Sequence, residues 1–519
     1  MNNNPVKKVA TRLMKLVIKH KHLVLLIIFY FVFRLINLTK LPIFNDEAIY
    51  LDWGWRETHR DGFLYYSLYD AKQPFLMWIF GIAESVISDS LFAGRLISVI
   101  FGFLTFVGIY KLAKFLFEEK IALISVFIYS IVPIFAFYDR QALMESSIAT
   151  VGIWSCFFLV KYLKENSLKF SILAGIILGI GFFIKSSALV FILPYILLVL
   201  SYSIVYKRVK IINDLLLTAG VFLMSISLLL INPQFWSTFS SNSRYSLTII
   251  ELSSFPIGQW INSLFDNLQI AFFYVTPLLF LLSLIGAAFI LIKKNVFKRL
   301  FLFFFVLSLL IATLLVRVPT ERYLVSFLPF LVIPASYIII YVLNKSKFLG
   351  VIFMIIIFII PFSLTAVQVV NPAEYILLMG KVATFNDSNY LKGFTSGYAV
   401  DEVINYFQKL SEKQKIIITI GENTGNPESA VLVYFSKNSN VQVIYFDSRL
   451  FGPSISALDC FKSNIPLYFV SREEQLVGLD KFLEKIKTIK NPYGINTIGI
   501  YTLKKNCKGK TFNLQISPT

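Results

Sequence analysis

Two adjacent carboxylates lie in the first polar stretch that follows a long apolar run. The stretch reads FNDEAIYLDWGW over residues 44–55, and the carboxylates are Asp46 and Glu47. Ionisable side chains close to hydrocarbon are costly, and they usually mark a functional group or an ion pair. A carboxylate can accept the proton of a hydroxyl nucleophile, or it can stabilise the first turn of a helix. The sequence therefore offers a candidate base here, with a helix-capping role as the alternative.

Further polar residues lie between the later apolar runs or at their ends. They are Lys72, Arg95, Asp139, Arg140, Glu145, Lys185, Arg317, Glu321, Arg322 and Tyr323. Single lysines and arginines near the ends of membrane helices often extend to the interface without any further function. A shared site is the better interpretation only if these residues lie on one side of a membrane.

The sequence argues against several other kinds of chemistry. It contains three histidines, His20, His22 and His59, which we expect in a cytoplasmic tail and near the opposite interface. This placement does not favour a buried histidine base, and no cluster of His and Cys predicts a zinc site. The motifs of serine hydrolases, P-loop nucleoside triphosphatases and metalloproteases do not occur. A carboxylate is the remaining candidate base.

Membrane helices are the elements predicted to position these residues. Of the 519 residues, 56% are hydrophobic and 52 are Phe, and the mean hydropathy is +0.70. This composition is too apolar for a soluble globular protein. About 20 apolar residues are needed to cross the hydrocarbon core. We therefore expect about eleven membrane-spanning helices, at residues 21–40, 91–112, 121–138, 146–163, 168–185, 187–206, 211–232, 268–292, 299–316, 322–343 and 348–370.

The distribution of Lys and Arg predicts the orientation of the chain. The formal net charge is +19, and the basic residues concentrate in the N-terminal stretch and in alternate connections such as YKRVK and KKNVFKR. Because positively charged connections stay in the cytoplasm, we expect a cytoplasmic N-terminus. This pattern holds only if residues 74–88 form a short helix at the interface rather than a span. The candidate residues then share the outer side, and the C-terminal region is extracytoplasmic.

Residues 371–519 have a different pattern, typical of a separate α/β domain that follows a membrane domain at 1–370. Predicted strands at 415–421, 441–446, 466–471 and 496–503 alternate with helical patterns, one before the first strand and one over EEQLVGLDKFLEKIKTI after the third. Of the three cysteines, Cys156 falls in an apolar run. Cys460 and Cys507 would be able to pair only in an oxidising compartment, so this disulfide stays open.

Several motifs resemble those of polyprenyl-phosphate-sugar glycosyltransferases of the GT-C superfamily, in the group of protein O-mannosyltransferases and aminoarabinose lipid A transferases. The motifs are RLINL from Arg34, NDEAIY around Asp46 and Glu47, DAKQPFLMW around Lys72, LFAGRLIS around Arg95, ALMESSIA around Glu145, GIGFFIK ending at Lys185, and RYL from Arg322. The resemblance covers about residues 25–340. It departs from the family pattern at Ala71 and Gln73, which flank the lysine, at Glu145, where Asp is commoner, and at Ser186.

This resemblance implies transfer of a sugar from a polyprenyl phosphate to an acceptor on the outer face, with inversion at the anomeric carbon. The implied acceptor is a protein, lipid or cell-envelope glycan. On this basis we expect Asp46 to be the general base and Glu47 and Glu145 to position hydroxyl groups. The lipid phosphate or the sugar would contact Lys72, Arg95, Arg140, Lys185, Arg322 and Tyr323.

Some alternatives stay open at this point. Asp46, Glu47 and Glu145 together would also suit a divalent cation such as Mg²⁺, Mn²⁺ or Ca²⁺, since hard cations prefer oxygen ligands. A secondary transporter would use outer carboxylates for ion coupling, although it is expected to have charges near the midplane and repeated halves. A third alternative is a scaffold whose outer domain binds a partner. No motif identifies the sugar, and nothing in the sequence indicates nucleic-acid binding.

Overall fold

The computed structural model describes residues 20–59, 64–239, 245–383, 388–421, 425–446, 465–473 and 483–503. Cys460 and Cys507 lie outside these residues, so the structure does not test their pairing. Cys156 is buried with a free thiol.

Helices make up the described chain as far as residue 383. The α-helices there are Lys21–Leu35, Asn45–His59, Phe75–Val86, Ser90–Leu116, Glu119–Ile131, Pro133–Asp139, Glu145–Glu165, Leu168–Ile184, Leu189–Val205, Lys210–Ser225, Ser227–Leu230, Pro233–Phe239, Ile249–Ser253, Ile257–Tyr274, Pro277–Ile292, Val296–Leu315, Glu321–Leu324, Val332–Lys345, Lys347–Val370 and Pro372–Ala383. Single 3₁₀ turns cover Tyr66–Asp70, Ser186–Ala188 and Leu328–Leu331, and a π-helical turn covers Ser388–Lys392.

The expectation of a polytopic helical membrane protein is confirmed, and by length and composition the described residues contain six to eight of the eleven expected spans. Six helical segments there are long and apolar enough to cross a membrane, and two bent pairs raise the number to eight at most. The other predicted spans, at 21–40, 168–185 and 211–232, contain helices of 15, 17 and 16 residues. These are shorter than the ~20 residues that a perpendicular span needs.

Two predicted spans are wrong as single helices, because each contains a proline that starts a new helix. The span at 121–138 bends by 68° between Ile131 and Pro133, and the span at 268–292 bends by 116° between Tyr274 and Pro277. Proline lacks an amide donor and fits the first turn of a helix, so it favours a new start over continuation. The short helix predicted over residues 74–88 is present as Phe75–Val86.

The C-terminal region contains a five-stranded mixed sheet, which agrees with the predicted α/β domain. The strands are β1 (Ile416–Gly421), β2 (Val441–Phe446), β3 (Leu467–Arg472), β4 (Leu483–Lys490) and β5 (Thr497–Leu503). Their order is β2-β1-β3-β5-β4, in which β1 runs parallel to β2 and β3, and β5 runs antiparallel to β3 and β4. The helices Tyr398–Ser411 and Glu428–Phe435 belong to this region.

The helix predicted after the third strand is wrong over its second half. Residues 483–490 form β4, which pairs antiparallel with β5 over its whole length. The segment LEKIKTIK has helix-forming residues, yet in the structure it is a strand with Leu483 and Ile489 buried and residues 484–487 exposed. Pairing with a neighbouring strand overrides the local preference of such a segment.

Candidate active site

The helix Asn45–His59 begins where the first candidate carboxylates lie, and a buried ion pair fixes its start. Arg95 and Glu47 are both fully buried, and they make a double contact, Nε to Oε1 at 2.8 Å and Nη2 to Oε2 at 2.7 Å. The backbone N–H groups of Phe44 and Ala142 donate to the same carboxylate at 3.0 and 2.7 Å. Glu47 therefore joins the helix to two other parts of the chain.

Arg95 has no N–H left for a phosphate in this arrangement. Besides its two contacts with Glu47, its guanidinium donates to the carbonyl oxygens of Leu38 and Leu41 at 2.8 Å and of Pro42 at 3.4 Å. A guanidinium has five N–H donors, so all of them are used. The structure places Arg95 behind the site, where it holds residues 38–47 in position.

Arg140 also donates its hydrogen bonds to backbone carbonyl groups. It is buried, and its guanidinium donates to the carbonyl oxygens of Phe33, Arg34, Ile36 and Asn37 at 2.7–3.2 Å. These carbonyls end the helix Lys21–Leu35, where a positive charge satisfies unpaired acceptors and the helix dipole. Arg140 therefore caps the C-terminal end of this helix and is not part of the group of candidate carboxylates.

Four of the predicted residues do come together, with Arg322 between the others. Its Nη1 donates to Asp46 Oδ2 at 2.5 Å, and its Nε donates to Glu145 Oε1 at 2.7 Å. Lys185 Nζ also donates to Glu145 Oε1, at 3.3 Å. The start of the helix Asn45–His59, the start of the helix Glu145–Glu165, the turn after Ile184 and the helix Glu321–Leu324 thus meet through their charges.

The carboxylates of this cluster differ in access. The Asp46 side chain is 28% exposed and that of Glu145 is 1% exposed, while Lys185 and Arg322 are 22% and 20% exposed. Glu145 Oε2 is buried and accepts no hydrogen bond from the described residues. A buried oxygen without a partner is costly, and a hydroxyl group of a bound molecule would satisfy it.

Lys72 adds a third cation beside the cluster. Its Nζ lies 4.8 Å from the centroid of the Tyr245 ring, and Lys185 Nζ lies 5.5 Å from that of Tyr323. Burial, together with the charge of Lys185, lowers the pKa of Lys72 from its ordinary value. The N–H of Ser186 donates to Gln73 Oε1 at 3.2 Å, and this bond ties the loop that carries Lys72 to the turn that carries Lys185.

Comparisons with known proteins bear on this arrangement. Residues 71–236 match the family model of dolichyl-phosphate-mannose-protein mannosyltransferases. The crystal structure of ArnT from Cupriavidus metallidurans in the apo state has 14% sequence identity and a TM-score of 0.60, covering 95% of this chain and 98% of that chain. The same enzyme bound to undecaprenyl phosphate has 12% identity and a TM-score of 0.59, covering 94% and 98%. A comparison with curated protein sequences finds no match.

The chain has the fold of ArnT. The resemblance seen in the sequence is thereby confirmed, and the likeness to ArnT includes the C-terminal domain because it extends over nearly all of both chains. At this level of identity the likeness shows the fold, and the roles of individual residues are a matter for the geometry described above.

The structure brings together Asp46, Lys72, Glu145, Lys185 and Arg322, with Tyr323 beside Lys185. It places Glu47, Arg95 and Arg140 in the supporting structure instead. Residues that the sequence did not single out for the cluster also approach it, namely Gln73, Tyr50, Tyr245 and Tyr390. Burial raises the pKa of Tyr50 well above its ordinary value, so beside Arg322 this hydroxyl keeps its proton.

The three carboxylates predicted to hold a divalent cation do not converge in this structure. Both Glu47 oxygens accept hydrogen bonds from Arg95 and from the backbone, and Asp46 and Glu145 share Arg322. No group of three or more His, Cys, Asp or Glu side chains in the described part of the chain is arranged to hold a metal ion. In this arrangement the three carboxylates do not fit a metal ion, and chelation can test whether activity requires one.

Proposed function

We propose that the chain is a membrane glycosyltransferase that transfers a sugar from a polyprenyl-phosphate donor to an acceptor hydroxyl on the outer face of the membrane. The observation that carries this proposal is the cluster in which Arg322 bridges Asp46 and Glu145, with Lys185 and Lys72 beside it. The mannosyltransferase family match over residues 71–236 and the fold of ArnT, an enzyme solved with undecaprenyl phosphate, support it.

Asp46 is the carboxylate best suited to be the base. Glu47 is fully buried and has no free oxygen, and Glu145 is almost fully buried, whereas Asp46 is 28% exposed. A base must reach the proton that it removes. Asp46 Oδ2 accepts from Arg322, and among the described residues Asp46 Oδ1 accepts one hydrogen bond, at 3.4 Å from Asn45 Nδ2.

The cations are suited to the leaving group. The acceptor oxygen attacks the anomeric carbon as the bond from that carbon to the phosphate oxygen breaks, and the acceptor proton passes to Asp46. The electron pair of the broken bond stays on the lipid phosphate, whose negative charge grows. Lys72, Lys185 and Arg322 would stabilise that charge, and such preorganised cations bind the transition state better than the ground state. Attack from the side opposite the phosphate inverts the anomeric configuration.

Glu145 is suited to the sugar. Its Oε1 is held by Arg322 and Lys185, while its Oε2 has no hydrogen-bond partner among the described residues. A sugar hydroxyl that donates to Oε2 would remove the cost of this unpaired oxygen and would orient the ring. The Tyr323 ring, which lies beside Lys185 Nζ, would contact the same sugar.

The experiment is a transfer assay with the full-length protein in membranes. A polyprenyl phosphate that carries a radiolabelled hexose or pentose is added together with outer-envelope acceptors, and both released lipid phosphate and labelled acceptor are measured. We expect both products to appear together with the wild-type chain. Uptake of label into vesicles without release of lipid phosphate would contradict the proposal and would favour transport.

A further inference from the structure

The C-terminal domain touches the chain immediately before Asp46. The N–H of Asn45 donates to the carbonyl oxygen of Thr395 at 3.0 Å, and Asn426 Nδ2 donates to the carbonyl oxygens of Ile43 and Thr395 at 3.1 and 3.3 Å. The first is a contact between backbone groups of the two regions, and the contact of Asn426 with Ile43 joins a side chain to backbone across 383 positions of sequence. They place the domain directly on the first residues of the helix that carries the candidate base.

Two glycines of the domain make this approach possible. A Cβ added at Gly397 would lie 2.3 Å from the carbonyl oxygen of Ile43. A Cβ added at Gly425, where φ is +109°, would lie 2.3 Å from Asn45 Oδ1. At Gly425, only glycine combines the positive φ with so close an approach to Asn45. The surface of the domain is therefore shaped to receive residues 43–45.

A chain of two hydrogen bonds connects the domain to the Asp46 carboxylate. The N–H of Asn426 donates to Asn45 Oδ1 at 2.8 Å, which fixes the Asn45 amide. Asn45 Nδ2 then donates to Asp46 Oδ1 at 3.4 Å. The other oxygen, Asp46 Oδ2, accepts from Arg322. The membrane domain thus holds one oxygen of the carboxylate, and the C-terminal domain reaches the other through Asn45.

The sheet holds Asn426 firmly in this position. Arg472, at the end of β3, donates from Nε at 2.9 Å and from Nη2 to the carbonyl oxygen of Asn426. Asn426 itself is 1% exposed. Ring contacts also support residues 43–45, on the other side of this contact. The centroid of the Tyr390 ring lies 4.6 Å from that of Phe44 and 4.9 Å from that of Phe137.

We propose that the C-terminal domain orients the Asp46 carboxylate through Asn45, so that Asn45 and Asn426 are positioning residues for sugar transfer. The proposal rests on the proposed function, in which Asp46 is the base. It gives the domain a task in catalysis that the sheet alone does not reveal. A domain that only stabilised the fold would not need a hydrogen-bonded path that ends on this carboxylate.

The test compares Asn45→Ala, Asn426→Ala and their double variant in the full-length protein, with donor KM, kcat and thermal unfolding measured for each. Misplacing a catalytic group by about 1 Å costs on the order of 10- to 100-fold in rate, so we expect kcat to fall by about that factor while donor KM stays within about twofold. If Asn426 acts through Asn45, the double variant loses no more than Asn45→Ala alone.

Asn491→Ala is the matched control. Asn491 is also buried, and its Nδ2 donates to the carbonyl oxygen of Leu391 at 2.7 Å, within the C-terminal region. We expect this variant to lower thermal stability while keeping the wild-type kcat. If Asn426→Ala does not fold, Asn45→Ala alone still decides, because Asn45 is partly exposed and lies outside the domain.

Asp46→Asn separates the two proposals. If Asp46→Asn is inactive while Asn45→Ala and Asn426→Ala keep the kcat of Asn491→Ala, the positioning role is overturned and the proposed function stands. Losses from Asn45→Ala and Asn426→Ala that add in the double variant would also overturn it. If Asp46→Asn keeps normal activity, the base assignment fails and the positioning role fails with it.

Discussion

At the scale of single residues, the three cations of the cluster are not equivalent. Lys185 and Arg322 already contact Glu145, and Arg322 also contacts Asp46, whereas Lys72 makes no ion pair among the described residues. Its Nζ lies over the Tyr245 ring. Lys72 is therefore the cation with the most of its charge left for a bound phosphate, and donor binding should depend on it.

We expect Lys72→Ala to raise the donor KM about 10- to 100-fold, since hydrogen bonds to charged groups contribute about 1.5–3 kcal/mol. Lys72→Arg keeps the charge and is the control. Burial lowers the pKa of Lys72, so the wild-type lysine loses its charge at a lower pH than an exposed lysine would. Donor KM should consequently rise more steeply in the alkaline range for the wild type than for Lys72→Arg, in which Lys185 is the lysine of the cluster that still loses its charge. A flat profile for both would contradict this role.

The same cluster bears on whether the protein needs a divalent cation. Two carboxylates that share Arg322, with Lys72 and Lys185 nearby, make a poor site for a divalent cation, which needs several free oxygen ligands. We expect transfer activity to survive exhaustive treatment with EDTA. Activity that disappears with EDTA and returns with Mg²⁺, Mn²⁺ or Ca²⁺ would show that the geometry changes when substrate binds.

At the scale of the elements, the buried pair of Glu47 and Arg95 holds the start of the helix Asn45–His59. Removing one partner of a buried ion pair leaves a charge without compensation and costs about 3–5 kcal/mol. We expect Glu47→Gln to lower the free energy of unfolding by about that amount, measured by thermal unfolding in detergent. Unchanged stability together with complete loss of transfer would mean that Glu47 takes part in the chemistry instead.

Some site residues and elements could be predicted from the sequence and others could not, for physical reasons. The positions of Asp46, Glu145, Lys185 and Arg322 followed from charges beside long apolar runs, where a polar group needs an explanation. Arg95 and Arg140 show the same signal, but their guanidinium groups satisfy backbone carbonyls, which composition cannot distinguish from a phosphate site. The break at Pro277 follows from the proline itself, whereas strand β4 depends on its pairing with β5, which the helical pattern of that segment alone does not reveal.

At the scale of the whole molecule, orientation in the membrane is the feature on which the outer-face chemistry depends. Glu412 is exposed in the C-terminal region, and Lys120 is exposed in a connection that we expect in the cytoplasm. In a chain with Cys460 and Cys507 replaced by Ser, we expect Glu412→Cys to react with an impermeant maleimide on intact cells. Lys120→Cys should react only after permeabilisation, and the reverse pattern would contradict the orientation.

The contact between the two domains was the feature least accessible from the sequence. Asn45 and Asn426 are ordinary polar residues in their local patterns, and Asn45 reads equally well as a helix cap. Only the fold brings them within 2.8 Å of each other. Through this contact the C-terminal region reaches the Asp46 carboxylate by way of Asn45.

The most direct test of the account is the rate of sugar transfer by Asp46→Asn, with Asp52→Asn as the control on the same helix. Asp52 also pairs with an arginine, Arg56, at 2.9 Å. General-base catalysis contributes about 100- to 10,000-fold, so Asp46→Asn should lose about 3–5 kcal/mol of transition-state stabilisation. Asp52→Asn should keep kcat near that of the wild type. A loss of less than about tenfold for Asp46→Asn, at normal enzyme content in the membrane, would contradict the central claim.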